Sequence, residues 1–181
     1  SDLPTTESEL IDLFGVGWWK YDVEEAAKLL ESVDFTRDAN GKWLLPDGTP
    51  WKIAINAPVD FEVQSGRLAF AVADSWSKFG IDATVNTLTG GTFWTEQGTG
   101  DFDAGSYWPG CAIGADIYPN LNGWHQKFIV PTGENAPGNV NRHASDEIAR
   151  ILDELEVIPA DDPNAIPLSK ELLMTMAEEM H

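Results

Sequence analysis

Residues 51–57 read "WKIAINA", with Trp51, Ile53, Ile55 and Ala57 on one side and Lys52, Ala54 and Asn56 on the other. A period of two over this length marks a strand with one buried face. The period then changes. Residues 61–79 place Leu68, Val72, Trp76 and Phe79 along one side of a helix, and Gly80 stops it. "IDATVNTL" (81–88) is a second strand, a short helical segment spans Thr92–Gln97, and "FDAGSYW" (102–108) is a third strand. Strand, helix, strand, short helix, strand is an α/β pattern. Right-handed crossovers make its strands largely parallel, so the expected fold is a small, mostly parallel sheet flanked by helices.

Upstream, "YDVEEAAKLLESVDF" (21–35) is a helix. Asp22 caps it with Glu25 three residues on, and Ala26, Leu29, Leu30 and Val33 form its apolar stripe. "DANGKWLLPDGTP" (38–50) carries two turn signals, Asn40-Gly41 and Asp47-Gly48, around a small hairpin at Trp43 to Leu45. Asp38, Asn40 and Gly41 faintly suggest a calcium loop, but the full ligand spacing and the distal Glu are missing, so they read as a turn. Downstream, Ser145 caps a helix bearing Ile148, Ile151, Leu152 and Leu155. "PADDPNAIP" (159–167) breaks it, and a final helix aligns Leu172, Met176 and Met180.

The 181 residues suit one domain or one lobe of a larger protein. Thirty acidic residues against 11 basic ones give a net charge of −19. Without a Lys/Arg cluster, nucleic acid and anionic membrane surfaces are poor partners. The acidity reads as a solvated surface. The single cysteine, Cys111, excludes an internal disulfide and a Cys-rich zinc site. No stretch reaches the roughly 20 apolar residues of a membrane span, and residues 1–20 lack the pattern of a signal peptide.

Catalytic motifs are not evident: there is no G-x-S-x-G elbow, P-loop or HExxH. His125, His143 and His181 are scattered, and Cys111 sits between Gly and Ala like a small buried residue. Asp101 and Asp103 lie two apart at the start of a strand, the wrong end for paired glycosidase carboxylates, and Asp116 alone is not a pair. No metal or cofactor is expected.

Aromatic residues remain. Trp51 and Trp76 fit core positions, and Trp43 fits a cover for the hairpin. Trp94, Trp108 and Trp124 read either as satellite core or as stacking platforms for a ligand. Trp108 and Trp124 flank the loop of "FDAGSYWPGCAIGADIYPNLNGWH" (102–125), which has two acids, Asp103 and Asp116, and no Lys or Arg. That loop leaves the carboxyl end of the third strand, where open α/β sheets bind ligands. Its glycines allow close backbone approach and its low charge favours a neutral ligand.

"YDVEEAAKLLESVDF", "GKWLLPDGTPWKIAI", "SKFGIDATV" and "GDFDAGSYW", in this order, resemble the family 5 extracellular solute-binding proteins of ABC importers. That family includes dipeptide, oligopeptide and some oligosaccharide binders. The resemblance runs from about Tyr21 to the C-terminus. It implies a periplasmic-binding-protein-like lobe: residues 21–181 as the C-terminal lobe of a two-lobed protein, with residues 1–20 as a lead-in packing on it. Trp18 and Trp19 read equally as the seam with the missing N-terminal lobe or as core packing. It further implies a monomeric, non-enzymatic binder that works with a membrane permease. Its place would be the periplasm or the cell exterior, with a lipid anchor as an option for the full-length protein.

Peptide-binding members carry an Asp soon after the Trp of "FD…W". Here Pro109, Gly110, Cys111 and Ala112 follow Trp108, and the first acid is Asp116. This departure favours a neutral extended solute such as an oligosaccharide. The alternatives are an oligopeptide or dipeptide, a stand-alone carbohydrate-binding module, and a hydrolase using Asp116 with an unnamed partner acid. The expected ligand-binding set is Trp94, Tyr107, Trp108, Cys111, Asp116 and Trp124. Asp116 reads equally as a sugar-hydroxyl acceptor or as a cap on Ile117–Leu121.

Overall fold

The structure, a computed structural model, describes residues 21–60, 63–107 and 116–179. The chain divides into two compact units, one spanning Tyr21–Pro109 and the other containing Gly110–His181. The lead-in expected at residues 1–20, Trp18 and Trp19 included, lies outside the described residues, as does Met180.

In the first unit, helix α1 (Val23–Ser32) starts where Asp22 accepts the Glu25 N–H at 2.9 Å. Its apolar stripe is not buried: Leu29 and Val33 stand exposed, and Ala26, Ala27 and Leu30 are its most protected residues. Strands β1 (Thr36–Arg37) and β2 (Trp43–Leu44) pair antiparallel. Asp38 ties the turn between them by accepting the Asn40 and Lys42 N–H groups, so its carboxylate serves the hairpin. Trp43 does more than cover that hairpin. It is 1% exposed, packs on Phe79 at 5.5 Å, and lies under the Arg37 guanidinium at 3.9 Å. Gly80, at φ +110°, allows this approach: a Cβ there would meet the Gly41 carbonyl at 2.6 Å.

The sheet consists of β3 (Lys52–Pro58), β4 (Asp82–Leu88) and β5 (Ala104–Gly105), all parallel, in the order β4-β3-β5. Helix α2 (Val63–Phe79) links β3 to β4, and α3 (Gly90–Thr99) links β4 to β5. Ile53, Ile55 and Ala57 project towards α2 and pack with Ala69, Val72, Ala73 and Trp76. The helix is therefore rotated from the expected stripe. Ala69 and Ala73 let it sit close to the sheet, and Leu68 is left 57% exposed. Trp51 lies before the strand, half-buried edge-on to Phe35 at 5.0 Å. The third strand is shorter than its sequence suggests because only Ala104 and Gly105 pair with Ile55 and Asn56.

In the second unit, α4 (Tyr118–Leu121) and two 3-10 turns (Asn122–Trp124, Gln126–Phe128) precede α5 (Asp146–Val157) and α6 (Ala165–Glu179). Ser145 caps α5 as expected, accepting the Ile148 N–H at 3.1 Å. Ile148, Ile151, Leu152, Leu155 and Leu172 form the core, with Tyr118, Leu121, Leu168 and Met176 against it. Pro167 falls in the first turn of α6, where a missing N–H costs nothing. Arg150 bridges the two helices, bonding Glu147 and Glu154 on α5 and Glu171 on α6.

Candidate functional site

From β3 the chain moves to β4 on one side, then crosses back over β3 to β5 on the other. Such a reversal opens a crevice beyond the carboxyl ends of the strands that flank it, here β3 and β5. Residues 89–94 and 106–107 follow the ends of β4 and β5.

Helix α3 is longer than the expected Thr92–Gln97. Thr89 caps it by accepting the Thr92 N–H, and Gly100 ends it at φ +75°. The Gly90-Gly91 pair is thus the first turn of the helix. Asp60, just after β3, accepts the Gly90 N–H at 2.8 Å and fixes that end.

The helix presents three aromatic contacts. Phe93 is fully buried, with Trp94 at 5.1 Å and Tyr107 at 5.4 Å; Trp94 and Tyr107 are 5.4 Å apart. The interplanar angles are 79°, 66° and 72°, all edge-to-face, the arrangement that ring quadrupoles favour. Trp94 is 46% and Tyr107 38% exposed. Two of the expected site residues therefore meet, as an exposed aromatic corner resting on Phe93.

Beneath the helix the sheet is polar. Asn56, 3% exposed, donates to Glu96 at 2.7 Å and accepts from Asn86 at 3.0 Å. On the opposite face, towards α2, the Ser106 hydroxyl donates to the Ser65 carbonyl at 2.9 Å. Asp103 accepts the Ala54 N–H at 2.9 Å. Asp60, Glu96 and Asp103 thus each accept or share an internal hydrogen bond, Asp60 while remaining exposed, and the two exposed rings of the corner are uncharged.

Asp116 and Trp124 belong to the second unit. Asp116 is exposed and accepts the Tyr118 N–H at 3.0 Å, which closes the turn into α4. Trp124 is half-buried, and its carbonyl accepts from Asn139, which also bridges to His143. Trp108 and Cys111 lie outside the described residues.

Sequence reading missed Phe93, Asn56, Glu96 and Gln97. Asn56 left one signal, a polar residue inside an apolar strand. His125, named in the sequence only as one of three scattered histidines, is buried: its Nδ1 accepts the Lys127 N–H at 2.9 Å, so Nε2 carries the proton donated to Asp153 at 3.1 Å. Among the described residues no group of three His, Cys, Asp or Glu is placed to hold a metal ion. Nor is any described helix long and apolar enough to cross a membrane.

The class of fold is that of the binding proteins of ABC transporters. A mannohexaose-bound periplasmic oligopeptide-binding protein of Thermotoga maritima matches 99% of this chain at a TM-score of 0.78 and 22% identity, over 33% of its own length. NikZ of Campylobacter jejuni, in complex with Ni(L-His), matches 89% of the chain at 0.73 and 17% identity, over 31% of its length. The oligopeptide-binding protein AppA of Bacillus subtilis, in complex with a nonapeptide, matches 89% at 0.70 and 17% identity, over 30% of its length. The chain therefore spans about a third of the length of the solved proteins it matches. No protein-family model matches the sequence. No curated protein matches it either.

Proposed function

We propose that this chain is a ligand-gripping lobe of a solute-binding protein that serves an ABC importer, and that it takes a neutral, extended solute, most simply an oligosaccharide. The observation that carries this reading is the exposed Trp94–Tyr107 corner beside a topological switch point. An aromatic face with a polar edge suits a sugar ring, and the nearby carboxylates Asp60 and Glu96 are engaged internally. Trp108, Cys111, Asp116 and Trp124 complete the proposed set, with residues 21–181 acting as one lobe opposite another. The protein does no chemistry on its ligand and delivers it to a permease from the periplasm or the cell exterior.

An oligopeptide is the second reading, favoured by the exposed Asp116, whose carboxylate suits a peptide ammonium. The test is a fluorescence titration of the natural protein with oligosaccharides and with short peptides, repeated with Trp94→Ala and Asp116→Asn. Sugar binding weakened by Trp94→Ala supports the first reading. Peptide binding weakened by Asp116→Asn replaces it with the second. No response to either class overturns both.

A further inference from the structure

We propose that Gly105 and Gln97 form a socket and plug that set the position of α3, so that Trp94 meets Tyr107. The inference rests on the reading of that pair as the ligand corner, but its geometry is testable without ligand.

Gly105 is not a glycine for the sake of its backbone angles, since it is absent from the glycines with positive φ. Its need is for space. A Cβ built there would run into the Gln97 side-chain nitrogen, and would stand 3.4 Å from Gln97 Cδ and 3.7 Å from Phe93 Cζ. Gly105 pairs in register with Asn56, the residue that bonds Glu96. Two neighbouring positions on one face of the sheet thus receive two neighbouring residues of α3.

Gln97 is 3% exposed, and its side-chain nitrogen is buried without a hydrogen-bond partner. An unpartnered buried amide destabilises, so hydrogen bonding does not explain its place. Its shape does: it fills the volume that a side chain at residue 105 would occupy. Phe93 lies one turn away on the same face of the helix, under both exposed rings. The clashing nitrogen is the free end of a flexible side chain and Phe93 stays at ordinary contact distance, so rotation of Gln97 is the competing relief. Because Gln97 is 3% exposed, under this proposal α3 yields instead, lifting Phe93 and carrying Trp94 off Tyr107. Gly105 and Gln97 act through these rings and are positioning residues.

The experiment compares the wild type with Gly105→Ala, Gly105→Ala/Gln97→Ala and Gln97→Met in the natural protein. Contact between the Trp94 and Tyr107 rings is read by proton NMR cross-relaxation, and binding by titration with mannohexaose. We expect the ring contact to be lost in Gly105→Ala, restored in the double variant and kept in Gln97→Met, with affinity about tenfold weaker in the first only. Unchanged ring contacts in Gly105→Ala overturn the proposal. If Gly105→Ala does not fold, a folded double variant with the contact restored supports it, and an unfolded double variant overturns it. If the wild type ignores mannohexaose while the ring contacts follow the expected order, the choice of ligand fails and the positioning device stands.

Discussion

The two faces of β3 are built for different ends. Towards α2, Ile53, Ile55 and Ala57 meet small and apolar residues, and Ala69 and Ala73 bring helix and sheet close together. Towards α3, Asn56 is tied to Glu96 and Asn86, and Gly105 receives Gln97. The first face gains from area removed from water and is indifferent to direction. The second relies on directional bonds and on the space that Gly105 leaves for Gln97, and directional contacts depend on where the helix lies. On the proposed reading, it is the directional face that sets where the aromatic corner stands.

The sharpest way to break this comparison is to cut each face at adjacent residues. Ile55→Ala should cost about 2–4 kcal/mol, because a buried branched side chain leaves a cavity. Chemical denaturation of the purified chain would measure it. Asn56→Ala should cost less, about 1–3 kcal/mol, by leaving Glu96 without its donor and Asn86 without its acceptor. The two variants should part company in binding: Ile55→Ala leaves the affinity of the folded protein unchanged, and Asn56→Ala weakens it. Equal effects of both on affinity would mean that the two faces share one role.

Some of this division was legible in the sequence. The alternation of "WKIAINA" gives the strand and its apolar side, and the turn residues give the β1–β2 hairpin and the stop at Gly80. Local patterns carry such information because helix and strand periods are local properties. What was not legible depends on partners far apart in sequence. Asn56 and Glu96 are 40 residues apart, and nothing near either one announces the other. The rotation of α2 that exposes Leu68 follows from how closely Ala69 and Ala73 approach the sheet, and Leu68 fits the helical stripe equally well on paper. Trp94 and Tyr107 stand out for their chemistry, while Phe93, which contacts both, carries no local signal that sets it apart.

A gain in stability would sharpen the contrast further. Gln97→Met keeps the volume of the plug and removes the unpartnered nitrogen, so it should stabilise the chain by about 1 kcal/mol. Thermal melting would show this as a rise in Tm. A fall in Tm would show that the amide holds a bond of its own, and the directional face would then have one more member.

The smallest expected effect is a pH-dependent change in the second unit, where helices are seated by charge as well as by core packing. The Ser145 hydroxyl accepts the α5 N-terminal N–H and lies close enough to the Glu179 carboxyl to favour its charged form, and His143 contacts that carboxyl at 3.0 Å. The hydroxyl first, and the imidazole second, hold the Glu179 carboxyl below its ordinary value of 4.5. The Arg150 guanidinium does the same for Glu147. A carboxyl whose pKa is lower in the folded state stabilises the fold above its unfolded value and loses that contribution as pH falls through the folded value. Acidification therefore removes this support below about pH 4.5. It also relieves repulsion in a chain of net charge −19, so the wild-type curve alone mixes two opposing trends. The difference between variants separates them. Ser145→Ala should lower stability by about 1 kcal/mol at neutral pH through the lost cap. Its deficit should shrink as pH falls below 4.5, because the Glu179 contribution disappears from the wild type as well. A deficit that stays constant from pH 7 to pH 3 would leave Ser145 as a helix cap and nothing more. The seating of α5 against α6 would then rest on Arg150, the apolar core and the His143–Glu179 contact without help from Ser145.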